Sequence, residues 1–168
     1  MPDANLADGH LAVARRLATT KRPTQSEIRR SISSAYYAVF HALARTCANS
    51  LVGKTPSHRP NKAWVEVYRG LNHGVCSRAC KDANKVEFPD CIQEFADAFH
   101  QLQEHRHKAD YDPDMRFSKA DAETWYEIAL LSVVSLRSAN NVDKKAFSTW
   151  VLISSQGAKN ARKTNSAS

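Results

Sequence analysis

A chain of 168 residues with 24 Lys+Arg against 17 Asp+Glu carries a formal net charge of +7 and is long enough to bury a core without disulfide or metal staples. Its 42% hydrophobic and 24% charged residues match an ordinary globular composition, and no apolar run approaches the roughly 18–20 residues of a membrane span. The opening Met1-Pro2-Asp3-Ala4-Asn5 lacks the basic start and apolar stretch of a secretory leader, so the expected location is cytoplasmic, with no membrane partner.

Glycine and proline are sparse and apolar residues recur at helical spacing, which predicts an all-α protein. The first helix is expected over about residues 4–20, with Leu6, His10, Val13 and Leu17 on one stripe and Lys21-Arg22-Pro23 ending it. A second, longer helix opens at a capping box, Thr24 with Glu27, and carries Ile28, Ile32, Ala35/Tyr36, Val39, Leu43 and Cys47 towards Gly53. Residues 54–60 read as a loop. A third helix follows with Trp64, Val67, Tyr68 and Leu71 inward, and Gly74 weakens its far end. After a polar connection at 81–87, Pro89 opens a fourth helix with the stripe Phe88, Ile92, Phe95, Phe99, Leu102, Arg106 and Ala109/Asp110, stopped by Pro113. Ser118 with Asp121 caps a fifth helix bearing Trp125, Ile128, Ala129, Ser132, Val133 and Leu136. A shorter helix, about 143–154, carries Phe147, Trp150 and Val151. Helices joined by mostly short connections predict an antiparallel bundle of four to six helices, one domain over residues 1–154. Residues 155–168, rich in Ser, Asn, Lys and Ala, read as a disordered basic tail.

The charge is unevenly spread. Residues 1–30 hold six basic and three acidic side chains, residues 139–168 hold five and one, and the stretch between them holds 13 of each. A pI near 9.4 points towards nucleic acid. With the excess at the two ends, RNA attraction is expected from the first-helix region, Lys144-Lys145 and the tail, and not from the body.

Arg106 is the most informative single residue. It continues a core-facing stripe near a helix end, where a permanent charge needs a carboxylate, a cleft, a partner chain or a phosphate. The competing structural explanation is an ion pair with Asp110 or Asp112. His105 and His107 flank Arg106 and splay about 100° to either side of it, so they do not share its cleft. Tyr37 and His41, four residues apart, share one face of the second helix; a satisfied core tyrosine and histidine explain them equally well. His73, Cys76 and Cys80 fall at i, i+3 and i+7, but paired short cysteine spacings and a fourth ligand are absent, so no metal is expected. The four cysteines are expected to be reduced. There is no Gly-rich phosphate loop and no nucleophile elbow, and no cofactor is expected.

Two segments, Arg29-Arg30-Ser31-Ile32-Ser33-Ser34-Ala35-Tyr36-Tyr37-Ala38-Val39-Phe40-His41 and Arg106-His107-Lys108-Ala109-Asp110-Tyr111-Asp112-Pro113, resemble the HEPN superfamily, in particular its bacterial branch with AYYAxFH and RxxADY motifs. The resemblance spans about residues 4–138. It implies a compact helical bundle that dimerises. Many such proteins are metal-independent endoribonucleases of toxin–antitoxin, defence or RNA-processing systems; others are inactive partners of nucleotidyltransferases or nucleotide-binding modules. In active members an Arg is followed, after four to six intervening residues, by a His, and two protomers bring these together at the RNA phosphate. Here Arg106 alone matches by position, with Tyr111, Asp112 and Pro113 where the His belongs. The resemblance therefore implies Arg106 as the catalytic residue, with His41 or His107 as spatial substitutes for the missing His, and Tyr37, Asp110 and Tyr111 lining an RNA or nucleotide cleft. The implied partners are a second copy, RNA, and an antitoxin or a nucleotidyltransferase.

Overall fold

The computed structural model describes residues 5–153 together with Asn160 and Lys163. These residues form seven α-helices and no strand: α1 Leu6–Ala18, α2 Gln25–Val52, α3 Asn61–Gly70, α4 His73–Asp82, α5 Asp90–Tyr111, α6 Lys119–Ser138 and α7 Asn141–Leu152. The expected tail at 155–168 lies outside the described residues, apart from Asn160 and Lys163.

Both capping boxes form. The Thr24 side chain accepts from the Glu27 backbone N–H while Glu27 reaches back, and Ser118 and Asp121 repeat the arrangement at α6. Gly53 closes α2 at φ 123°, a backbone setting that glycine alone adopts without strain. The third expected helix is in fact two. Leu71 is extended, and the Asn72 side chain accepts from the backbone N–H groups of Gly74 and Val75, starting α4 afresh. That asparagine, and not Gly74, is the punctuation.

Side-chain contacts fix the directions. Ser31 donates to the Ala14 carbonyl and His41 stacks on His10, so α1 runs antiparallel to α2. Arg29 meets Ala109 while Tyr37 meets Arg106, so α5 is antiparallel to α2 as well. Arg137 of α6 pairs with Asp8 of α1, and Ser135 with Glu94 of α5, giving α6 the direction of α2. These four helices are the antiparallel bundle, with α3, α4 and α7 laid on its flank and end.

One apolar cluster joins helices from Ala7 to Val151, with Tyr36, Phe95, Phe99 and Phe147 the largest fully buried side chains. Each such ring contributes about 2–3 kcal/mol by leaving water. The inward stripes of α2 and α5 lie where periodicity puts them. α1 is rotated by one position: Ala7, Leu11, Ala14 and Ala18 are buried, while Leu6, His10, Val13 and Leu17 sit half-exposed on the flank. Alanines on α1 face Ser31, Ala35, Ala38 and Ala42 on α2, and small side chains on both helices allow a closer approach than a leucine stripe would. That rotation leaves His10 beside Tyr37 and His41.

A smaller cluster of Ala18, Ile28, Ile32, Ala109, Phe117 and Ala122 closes the other end. There the 112–118 connection is nailed to α2. Gln25 and Phe117 exchange two hydrogen bonds, at 2.7 and 3.0 Å. The Arg29 guanidinium donates to the carbonyls of Ala109, at 2.8 Å, and of Met115. Arg29 thus satisfies the open end of α5 and favours its negative pole. The site-bearing end of α5 is held in register with α2.

Candidate functional site

Arg106 lies in the last turns of α5 with its side chain 15% exposed. Its Nη2 donates to Tyr37 Oη at 2.9 Å, and its Nε lies 2.9 Å from Asp110 Oδ2. The Nε contact is an ion pair without an aligned hydrogen bond, because Nε is buried and has no acceptor along its N–H. The guanidinium carbon also stands over the rings of Tyr36, Tyr37 and Tyr111, at 5.6, 5.4 and 5.7 Å. Burial works against its charge, but the contacts with Tyr37 and Asp110 outweigh burial and raise its pKa above the usual arginine range. Asp110 is in turn held by Ser33, whose hydroxyl donates to Oδ2 at 3.3 Å. A guanidinium has five N–H donors. Among the described residues it uses one of them in an aligned bond.

The structure therefore brings Tyr37, Arg106, Asp110 and Tyr111 together. His41 is on the same side of α2, its ring 6.5 Å from Tyr37, and its Nδ1 is hydrogen-bonded to Tyr68 Oη at 2.8 Å. His107 is exposed and touches the group only through the Tyr111 ring, 5.0 Å away. His105 turns to the other side and packs on Trp125 at 3.8 Å.

Two further histidines join the cluster, neither of them a site candidate from the motifs. His10 of α1 stacks on His41 at 5.2 Å and lies 5.5 Å from Tyr37. His73, at the start of α4, is hydrogen-bonded through Nδ1 to Tyr36 Oη at 2.6 Å and stacks on Phe40 at 4.0 Å. Cys76 and Cys80, spaced with His73 in the sequence, are instead core residues, and burial pushes the Cys76 thiol up to about 12. A histidine on the α1 stripe was the signal for His10. Only the rotation of α1 shows what it faces.

All three histidines are held neutral. Burial, then the neighbouring His10 and His73, lowers His41 to about 4. Burial and Arg30 lower His10, and burial and Arg106 lower His73. Chemically, then, the site offers the fixed cation of Arg106, the Asp110 carboxylate, neutral imidazoles, and a Tyr111 ring that is 64% exposed at its edge.

No family model, curated protein or solved structure matches the chain. Among the described residues no helix is long and apolar enough to cross a membrane.

Proposed function

We propose that this chain is an RNA-binding protein of the HEPN type, in which Arg106 contacts a phosphate and Tyr111 stacks a base. The observation that carries this reading is an exposed aromatic ring at 5.7 Å from a guanidinium held by its own chain. A fixed cation beside an open ring matches the two faces of a nucleotide, phosphate and base. Tyr37 and Asp110 hold Arg106 in place, and its other guanidinium N–H groups make no aligned hydrogen bond among the described residues.

The test is fluorescence anisotropy with a labelled single-stranded RNA. Tyr111→Ala, at an exposed position, is expected to weaken binding by about 5–100-fold, the range for one lost stack. Arg106→Ala is expected to weaken it at least tenfold, with circular dichroism reporting the fold of each variant. RNA affinity equal to wild type in both folded variants would overturn the reading.

A metal-independent endoribonuclease is the second reading, favoured by the neutral His10, His41 and His73 around Tyr36 and Tyr37. In such a step the ribose 2′-oxygen attacks phosphorus and gives its proton to an imidazole, while the P–O5′ bond breaks and the 5′-oxygen takes a proton from water. A histidine held down at about 4 is a weak base for that transfer, and for this reason binding ranks first. RNA cleavage in EDTA that Arg106→Ala abolishes would reverse the order.

A further inference from the structure

A cleft of about 640 Å³ lies beyond the histidine cluster, between α1, the C-terminal half of α2, the end of α6 and the first turn of α7. Arg45, Lys54, Arg137, Lys144 and Lys145 line it, with Asp8 the one carboxylate of the lining among the described residues. That carboxylate is taken: Arg137 holds it at 2.8 Å. The Lys144 ammonium donates to the Arg137 carbonyl at 2.7 Å and so is fixed across the α6–α7 corner. Asn141, in the first turn of α7, also lines the cleft. Asp143, the acid of that turn, is turned to the Asn140 amide at 2.6 Å.

Like charges gathered round a cavity repel unless an anion sits among them, and low-dielectric walls focus their field into it. Among the described residues the rest of the lining is alanine, threonine, serine and asparagine, without an aromatic ring. These side chains hold phosphates by charge and offer no surface on which to stack a base.

We propose that this cleft binds consecutive phosphate groups, those of a single-stranded RNA backbone, without reading sequence. It is a different place from the Arg106 site. Arg45 follows Tyr37 by eight residues on α2, a displacement of about 12 Å along the axis. It also lies one turn beyond His41. The cleft stands on its own residues whether or not Arg106 binds RNA. A free polyphosphate offers the same chemistry.

The experiment uses two probes, inorganic tripolyphosphate by calorimetry and a labelled oligouridine of 12 nucleotides by anisotropy. The variant is Lys54→Gln/Lys145→Gln, at two exposed side chains with no polar partner among the described residues. Wild type is expected to bind both probes, and the double variant about tenfold more weakly. Its RNA salt slope should also be shallower by about 1.4, two single-strand phosphate contacts. Lys54→Arg/Lys145→Arg should restore both. Arg106→Ala should leave tripolyphosphate binding unchanged, which separates this site from the one proposed above. Tripolyphosphate binding without RNA competition would keep the phosphate site and overturn the backbone assignment. Full affinity for both probes in the Gln variant, or binding of neither by wild type, would overturn the site itself.

Discussion

At the level of single residues, Arg106 was legible as an anomaly but not as a geometry. Its place on a core stripe follows from counting three and four along α5. What it touches does not, because Tyr37 reaches it from α2, more than sixty positions earlier, and Ser33 of the same helix holds its partner Asp110. The same holds for His41, whose neutrality comes from burial and from His10 and His73 on two other helices. Its protonation therefore opposes folding. The unfolded chain takes up the proton near pH 6.5, and the folded one only near 4. Stability is complete above about 6.5 and is lost as the pH falls towards 4, by about 1–2 kcal/mol after discounting for partial exposure. For a chain of this size that is a fall of several degrees in Tm between pH 7 and pH 5. His10 and His73 act in the same direction, so His41→Gln should reduce this fall without abolishing it. An undiminished fall in that variant would place the acid sensitivity elsewhere.

At the level of elements, local chemistry set the starts of α2 and α6, since a capping box needs only four neighbouring residues. The break between α3 and α4 is just as local, since the Asn72 side chain accepts from the backbone N–H groups of Gly74 and Val75. The end of α5 is different. Pro113 announces it, yet what stabilises it is Arg29, about eighty residues away, donating to the carbonyls of Ala109 and Met115. Arg29→Ala is expected to cost about 2–3 kcal/mol, the range for hydrogen bonds made by a charged group, seen as a fall of roughly 4–12 °C in Tm. Arg29→Lys should recover little, because a point charge does not span two carbonyls as a fork does. Full stability in Arg29→Lys would show that charge alone suffices.

At the level of the molecule, the linear charge count showed only part of the basic cleft, Lys144 and Lys145. Residues 31–138 balance in number, yet Arg45 and Arg137, from that balanced stretch, and Lys54 with them, meet Lys144 and Lys145 in one cleft. Charges that cancel along a chain need not cancel in space. Lys159, Arg162 and Lys163 add three more cations towards the C-terminus. Removing residues 156–168 is expected to lower non-specific RNA affinity and to reduce the salt slope by about 2, leaving the Arg106-dependent loss in place. If truncation also erased the difference between wild type and Arg106→Ala, the tail, and not the pocket, would govern binding.

The sequence by itself determined the helical class, most helix limits, the buried faces of α2 and α5, and Arg106 as a charge needing a partner. Those properties rest on periodicity and capping, which act within a few residues. Only the tertiary structure decided the rotation of α1, the gathering of three histidines around Tyr36 and Tyr37, the misaligned Asp110 contact and the basic cleft. Each depends on which faces of distant helices meet, and that is set by packing across the whole bundle, of small residues between α1 and α2 and of large rings in the central core.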